Sequence, residues 1–378
     1  MQQTERRTRV LVVIWDFFGG GAERVAVLLA NALKACGAEV AIVASRPEGP
    51  NRELLSPDIP LHFPPKPSAV HFVIYLRRLI GEFAPDVVLA HQTTRNVAAI
   101  IAHRLAPGRD GRVVVGVEHG QMEFTRAHTR GLSLRVYFLL ARLLYPFADA
   151  IVSVSQNVQD SVARFIAPRR ARLFVLPNPV LAPHLFVQRE SPPEAPWLQA
   201  KAAPVFIGLG RLESQKNFAL MIEAFATLRA RVEARLIIFG EGSLRAELEA
   251  KVKALGLEED VALPGFTTNP FAALKAADAL VLSSVWEGLP TVAIEALACG
   301  AQVVSTDNSA GVRDILENGA VGFIVPNGDA GALAAAMERA LLDPVSPERL
   351  RRAAARFESN HVAALYLDLF AALRAGPP

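Results

Sequence analysis

Residues 206–228 read FIGLGRLESQKNFALMIEAFATL. The first positions are apolar or Gly and fit a short buried strand. Gly210 and Arg211 open a polar turn. From Phe218 onward, apolar residues at 218, 221, 222, 225 and 228 recur at the spacing of one buried helix face. A strand, a turn and an amphipathic helix make one βα unit, and the fold depends on whether that unit repeats.

It repeats in both directions. Downstream come ARLIIFGEG (234–242), VALPGF (261–266), ALVLSS (279–284), QVVSTD (302–307) and GFIVPNGD (322–329), with helical patterns between. Upstream are VLVVIW (10–15), EVAIVAS (39–45), DVVLAH (86–91), VVVGVEH (113–119) and AIVSVS (150–155). Continuous apolar runs of this length suit parallel strands covered on both faces. The sequence therefore predicts an α/β protein with two Rossmann-like, doubly wound domains. The boundaries are 1–180 for the first domain, a Pro-rich linker over 181–203, and 204–358 for the second. An amphipathic helix over about 360–376 follows the completed second sheet and is expected to pack back across the domain junction. Ligands of open α/β sheets sit at the carboxyl ends of the strands, so a cleft between two such domains is the expected site.

Composition narrows the class. The chain has 378 residues, 51% apolar and 20% charged, enough for two sizeable cores. Cys36 and Cys299 are the two cysteines, which excludes a disulfide framework and a cysteine metal site and points to a reducing compartment. The opening MQQTERRTRVLVVIW reads as a first strand rather than a signal peptide. The most apolar long stretch, VYFLLARLLYPFADAIVSV, is broken by Arg142, Pro146 and Asp149 and is not expected to span a membrane. Residues 1–180 carry a net charge of +8 and residues 181–378 one of −5. A basic half beside an acidic half suggests an anionic surface as partner of the first.

Residues 283–300, SSVWEGLPTVAIEALACG, hold two carboxylates, Glu287 and Glu295. Gly288 permits close backbone approach, Pro290 suits a first helical turn, and Gly300 suits a helix end. Free backbone N–H groups over residues 289–292, those of Leu289, Thr291 and Val292, lie at a helix start and would point at a ligand in the cleft. Arg211 and Lys216, before another helix start, add two cations, and together they make an anion site. Carboxylates accept hydrogen bonds from vicinal diols, which suits a sugar or ribose.

GRLESQK, GEGSLR, LPGF, SSVWEGLPTVAIEALACG and GFIVPNGD occur in the order and spacing of the retaining GT-B glycosyltransferases of family 4, which the chain resembles. FFGGGAER and VEHG extend the resemblance over nearly the whole sequence. It implies that Arg211 and Lys216 bind the donor diphosphate and stabilise it as it leaves. Glu287 would hold hydroxyls of the donor sugar, Glu295 the ribose, and Phe266 would meet the base. His119 would face the donor sugar, and Gly19, Gly20, Gly21 and Arg24 would lie beside the acceptor and the donor phosphate. A dinucleotide reading of that glycine loop fails. Gly-x-Gly-x-x-Gly is incomplete, with Arg24 in the last position, and the second strand ends in Ser45-Arg46 with no acid for a ribose.

The sequence contains no Asp-x-Asp pair to carry a diphosphate-bound divalent metal. Metal-independent transfer with no cofactor is expected, from a nucleotide-sugar donor, UDP-sugar favoured, to a lipid-linked saccharide, polysaccharide or lipopolysaccharide acceptor. A GT-B epimerase, a phosphorylase or a non-catalytic nucleotide-sugar-binding module are the alternatives. No nucleic acid is expected as partner. Arg77, Arg78, Arg126, Arg130, Arg135 and Arg142, interleaved with aromatic and aliphatic residues, fit a surface lying on anionic lipid. The expected location is cytoplasmic, peripheral on the cytoplasmic face of the inner membrane.

Overall fold

The computed structural model describes residues 6–18, 21–66, 68–108, 111–123 and 132–376. The chain divides into two compact units, one formed by Met1–Val180 with Phe357–Pro378, the other by Leu181–Arg356.

The first unit holds a parallel sheet of β1 (Arg9–Val13), β2 (Glu39–Val43), β3 (Leu61–His62), β4 (Val87–His91), β5 (Val113–Glu118), β6 (Ala150–Ser153) and β7 (Leu173–Val175). Their order is β3-β2-β1-β4-β5-β6-β7. The chain leaves β1 in one direction, returns at β4 and proceeds in the other. This reversal opens a crevice at the carboxyl ends of β1 and β4. The central strands are buried along their length because helices cover both faces. Edge strands β3 and β7 are two and three residues long and only half-buried, so no apolar run marks them in the sequence. The C-terminal helix Ser359–Ala375 packs on Gly21–Ala35. It contributes Val362, Tyr366, Phe370 and Leu373 to the core of this unit.

The second unit repeats the plan with β8 (Val205–Leu209), β9 (Arg235–Phe239), β10 (Val261–Gly265), β11 (Ala279–Leu282), β12 (Gln302–Thr306) and β13 (Phe323–Val325), ordered β10-β9-β8-β11-β12-β13. Here the reversal lies between β8 and β11, which pair directly. The loops that follow these two strands are therefore neighbours, although some 70 residues separate them in the sequence.

Residues 181–203, expected as a linker, are an integral part of the second unit. Pro183–Gln188 and Pro196–Gln199 form short helices that bury Leu185 and Leu198. The Arg189 guanidinium donates to the Ala298 carbonyl at 2.9 Å, and the Asn269 amide donates to the Gln188 carbonyl at 2.8 Å. Pro183 and Pro196 stand at helix starts, where no N–H is needed, so they mark short helices rather than a free tether.

Candidate active site

The loop after β8 is built by close backbone approach. Gly240 has φ +142, and a Cβ there would lie 1.9 Å from the Gly210 carbonyl oxygen. Only glycine allows the two turns to touch. They are joined by bonds from Gly210 N to Phe239 O at 3.1 Å and from Leu212 N to Glu241 O at 2.9 Å. Gly210 also leaves room for the Lys216 stem, since a Cβ would meet Lys216 Cε at 3.0 Å. The GRL and GEG motifs thus form one rigid floor under the lysine.

Lys216 Nζ meets Glu287 Oε1 at 2.5 Å, with the side chains 21% and 10% exposed. The Ser284 hydroxyl donates to the same carboxylate oxygen at 2.8 Å. The sequence reading gave Lys216 to a phosphate and Glu287 to a sugar, and the structure ties the two together. The surrounding loop is anchored on several sides. Ser283 Oγ donates to Lys216 O at 2.9 Å, and Val285 N donates to Gln215 O at 2.8 Å. Asn327 Nδ2 donates to Val285 O at 2.6 Å, and Thr306 Oγ1 donates to Ser284 O at 3.0 Å. Loops after β8, β11, β12 and β13 are thereby locked around one carboxylate.

Pro290 is the N-cap of helix Thr291–Cys299, one position before the first turn, and its carbonyl accepts from Ala293 N at 3.0 Å. Gly300 ends the helix at φ +84. Glu295, one turn in, is 5% exposed.

The carboxyl edge of the first sheet carries a second cluster. His91 Nδ1 and His119 Nε2 share a hydrogen bond of 3.0 Å, with the rings stacked at 5.3 Å. Burial lowers His119 to about 4 and holds His91 well below the usual imidazole range, so both are neutral at pH 7. Among the described residues no side chain holds His119 Nδ1. Next to it, Glu118 accepts from Asn96 Nδ2 at 2.9 Å, from Thr93 Oγ1 at 3.2 Å and from Tyr145 Oη. Burial pushes this carboxyl up to about 7 despite the three donors. Gln92 takes φ +73, rare for a residue with a Cβ, and donates to Glu23 Oε1 at 2.7 Å.

Two family models match, Glycosyl transferases group 1 over residues 194–357 and Glycosyltransferase Family 4 over residues 19–181. The chain belongs to the family 4, group 1 glycosyltransferases. It is 30% identical over 245 residues to an uncharacterised glycosyltransferase of Methanocaldococcus jannaschii, covering 63% of this chain and 60% of that one. The chain thus spans about three-fifths of that relative's length. It is 27% identical, over 97% of its own length and 99% of the other, to a Campylobacter jejuni α-1,4-N-acetyl-D-galactosaminyltransferase whose named acceptor is a diNAcBac-PP-undecaprenol saccharide. The fold matches that of Anabaena HepE in complex with UDP and glucose, with TM-score 0.76, 20% identity, 97% of this chain and 100% of the other.

In this family 4 chain, Arg211 is exposed at the start of the loop after β8. Its charge also helps hold the Glu213 carboxyl below the usual range, after the Ser243 amide and hydroxyl. Phe266 is 79% exposed just past β10. Gly21 begins the first helix and Arg24 is half-buried in its first turn, whereas Gly19 and Gly20 lie outside the described residues. Arg126 and Arg130 also lie outside them. Arg77 donates to the Leu105 carbonyl at 2.8 Å, Arg78 pairs with Glu82 at 2.6 Å, and Arg142 donates to Ala167 O at 2.9 Å. Arg135 is exposed. No helix among the described residues is long and apolar enough to cross a membrane.

Sequence reasoning missed Ser284, Gln215, Asn327, His91 and Glu118. Glu118 alone left a signal, an acid closing an otherwise apolar strand.

Proposed function

We propose that this protein transfers a hexosyl or N-acetylhexosaminyl group from a nucleotide-diphospho-sugar, a UDP-sugar by preference, to a lipid-linked saccharide or a surface polysaccharide or lipopolysaccharide acceptor. The observation that carries this reading is the Lys216–Glu287 pair at the β8/β11 reversal, beside the start of helix Thr291–Cys299. Cations and helix-start amides suit a diphosphate, and fixed carboxylates suit sugar hydroxyls.

In the reaction the bond from the anomeric carbon to the diphosphate oxygen breaks and the acceptor oxygen bonds to that carbon. The acceptor proton passes to the leaving phosphate. Attack on the face the phosphate leaves gives retention. Lys216 and Arg211 stabilise the charge gathered on the diphosphate, the task a divalent metal performs elsewhere, so transfer proceeds without one. Glu287, already bonded to Lys216 and Ser284, orients the sugar. Glu295 takes the ribose hydroxyls and Phe266 stacks on the base. His119 is neutral at pH 7 and offers Nδ1 as a hydrogen-bonding atom at the carboxyl edge of the first sheet.

Peripheral attachment to an anionic membrane fits the first unit. Helix Ala69–Phe83 exposes Val70 and Ile74 on the same face as Arg77 and Arg78, and helix Leu132–Leu144 exposes Val136, Leu139 and Leu143 beside Arg135 and Arg142. Both helices pack on Thr93–Leu105. An apolar face with basic residues suits the lipid interface.

The reading is tested by a thermal-shift panel of UDP-, GDP- and ADP-sugars, followed by an assay for transfer to a prenyl-diphosphate-linked saccharide. Stabilisation and turnover by a UDP-sugar are expected. Donor conversion without any acceptor would point to epimerisation instead.

A further inference from the structure

The reversal point of the first sheet holds a buried cation that the donor chemistry does not use. Arg95, in the first turn of Thr93–Leu105 after β4, is 4% exposed. Its guanidinium is clamped between two rings, 4.0 Å from the Trp15 centroid and 4.1 Å from the Phe72 centroid. Nε is buried with no hydrogen-bond partner. Among the described residues no carboxylate pairs with this side chain. Asp16 acts on its charge from nearby, but Asp16 Oδ1 accepts from Phe18 N at 2.9 Å.

An arginine buried without a counterion is costly, and stacking on two aromatic faces offsets part of that cost. The stacking also fixes the plane of the guanidinium, so its N–H fork is aimed before any ligand arrives. Burial lowers Arg95 only to about 10, which leaves it cationic at neutral pH. Beside it lies a cavity of about 50 Å³ bounded by Trp15, Ser45, Arg46, Ser68 and Phe72. A single water needs about 10–15 Å³ on this measure. Arg46 adds a second, exposed cation. Ser68 caps helix Ala69–Phe83, whose positive end therefore borders the same space. The Ser45 amide donates to the Trp15 carbonyl at 2.8 Å, which fixes the cavity wall to the end of β1. The cavity is thus at the carboxyl end of the sheet, where its topology places ligands.

We propose that this cavity is a phosphate subsite for the acceptor, in which Arg95 and Arg46 hold the phosphate or diphosphate ester of a lipid-linked saccharide. The proposal rests on the glycosyltransferase reading for the identity of that ester. Arg95 supplies a planar, bidentate fork, Arg46 a second charge and Ser45 a neutral donor, while the Ser68 hydroxyl is held by His71 at 2.6 Å. Arg95 is a specificity-determining residue in this account, remote from the donor cations Arg211 and Lys216 in the sequence and in a different unit.

The test is isothermal titration of the full chain, saturated with UDP, with farnesyl diphosphate and separately with inorganic pyrophosphate. Wild type is expected to bind farnesyl diphosphate more tightly than pyrophosphate. Arg95→Met and Arg95→Lys should each weaken farnesyl diphosphate at least tenfold, the lysine because it keeps the charge and loses the fork. Arg46→Ala should weaken it severalfold. UDP affinity, measured alone, should not change in any of them. Arg95→Met should also melt close to the wild-type temperature, because removing a buried charge with no carboxylate partner offsets the two lost cation–π contacts. The proposal is overturned if Arg95→Met binds farnesyl diphosphate as wild type does, or if its melting temperature drops by several degrees, which marks a structural arginine. Equal binding of the two probes would assign the cavity to a free anion and overturn the acceptor assignment. Absence of UDP binding in wild type would sink the donor reading and leave the Arg95 comparison intact.

Discussion

Removing either partner of the Lys216–Glu287 pair should destabilise the second unit by more than a surface ion pair contributes. The side chains are 21% and 10% exposed and the contact is 2.5 Å. At an effective dielectric near 20, unit charges about 4 Å apart attract by about 4 kcal/mol. Desolvation of both groups and residual solvent screening offset roughly half of this. A coupling of about 2 kcal/mol follows, above the ~0.2–1 kcal/mol of exposed pairs and below the ~3–5 kcal/mol lost on breaking a fully buried one. Glu287→Ala has the further effect of leaving the Ser284 hydroxyl without its 2.8 Å acceptor. The measurement is a double-mutant cycle with Lys216→Ala, Glu287→Ala and the double variant by urea unfolding. A Trp15→Phe background lets fluorescence report Trp197 and Trp286, both in the second unit. Glu287→Gln is the control, since it keeps an acceptor for Ser284 and removes the charge. The reasoning fails if the coupling is below about 0.5 kcal/mol, the level of an exposed pair.

Three further outcomes are expected. Glu118 has its carboxyl raised to about 7 against an ordinary 4.5, so the native state holds a proton that the unfolded chain releases between those values. Its contribution to stability therefore falls as pH rises from 4.5 to 7 and is flat above, by about 3 kcal/mol in all. Glu118→Gln should remove that loss, so the variant gains stability relative to wild type from pH 5 to pH 8 in urea titrations; parallel curves would contradict the assignment. Sedimentation with anionic vesicles should exceed that with neutral ones and weaken with salt, and Ile74→Glu with Leu139→Glu should reduce it severalfold; equal binding to both vesicle types would end the membrane reading. Transfer should persist in excess EDTA, and its loss with recovery on Mg²⁺ or Mn²⁺ would show that a metal carries the diphosphate charge.

The doubly wound fold was legible because parallel strands covered on both faces must be apolar throughout, and eleven of the thirteen sheet strands left such runs. β3 and β7 left none, because a half-buried edge of two or three residues needs no apolar run. The 283–300 loop and its helix were readable from Gly288, Pro290 and Gly300, and the helix Thr291–Cys299 lies where those residues place it. The partnership of Lys216 with Glu287 was not, since it arises from the pairing of β8 with β11 and from no local pattern. The Arg95 clamp was hidden for the same reason. Trp15, Phe72 and Arg95 come from three separate segments, and each alone reads as an ordinary core or surface residue. The proline-rich 181–203 segment misled because proline at helix starts and proline in free linkers look alike in sequence.

The central claim is that one nucleotide sugar lies along the stretch from Glu287 to Glu295, with sugar at the first carboxylate and ribose at the second. Steady-state transfer and UDP affinity, measured on Glu287→Ala and Glu295→Ala, test it most directly. Glu287→Ala should lower kcat by at least tenfold with UDP affinity within about threefold of wild type, and Glu295→Ala should weaken UDP about tenfold while retaining more of kcat, each tenfold being about 1.4 kcal/mol. Equal losses of kcat in both variants, with unchanged UDP affinity, would contradict it.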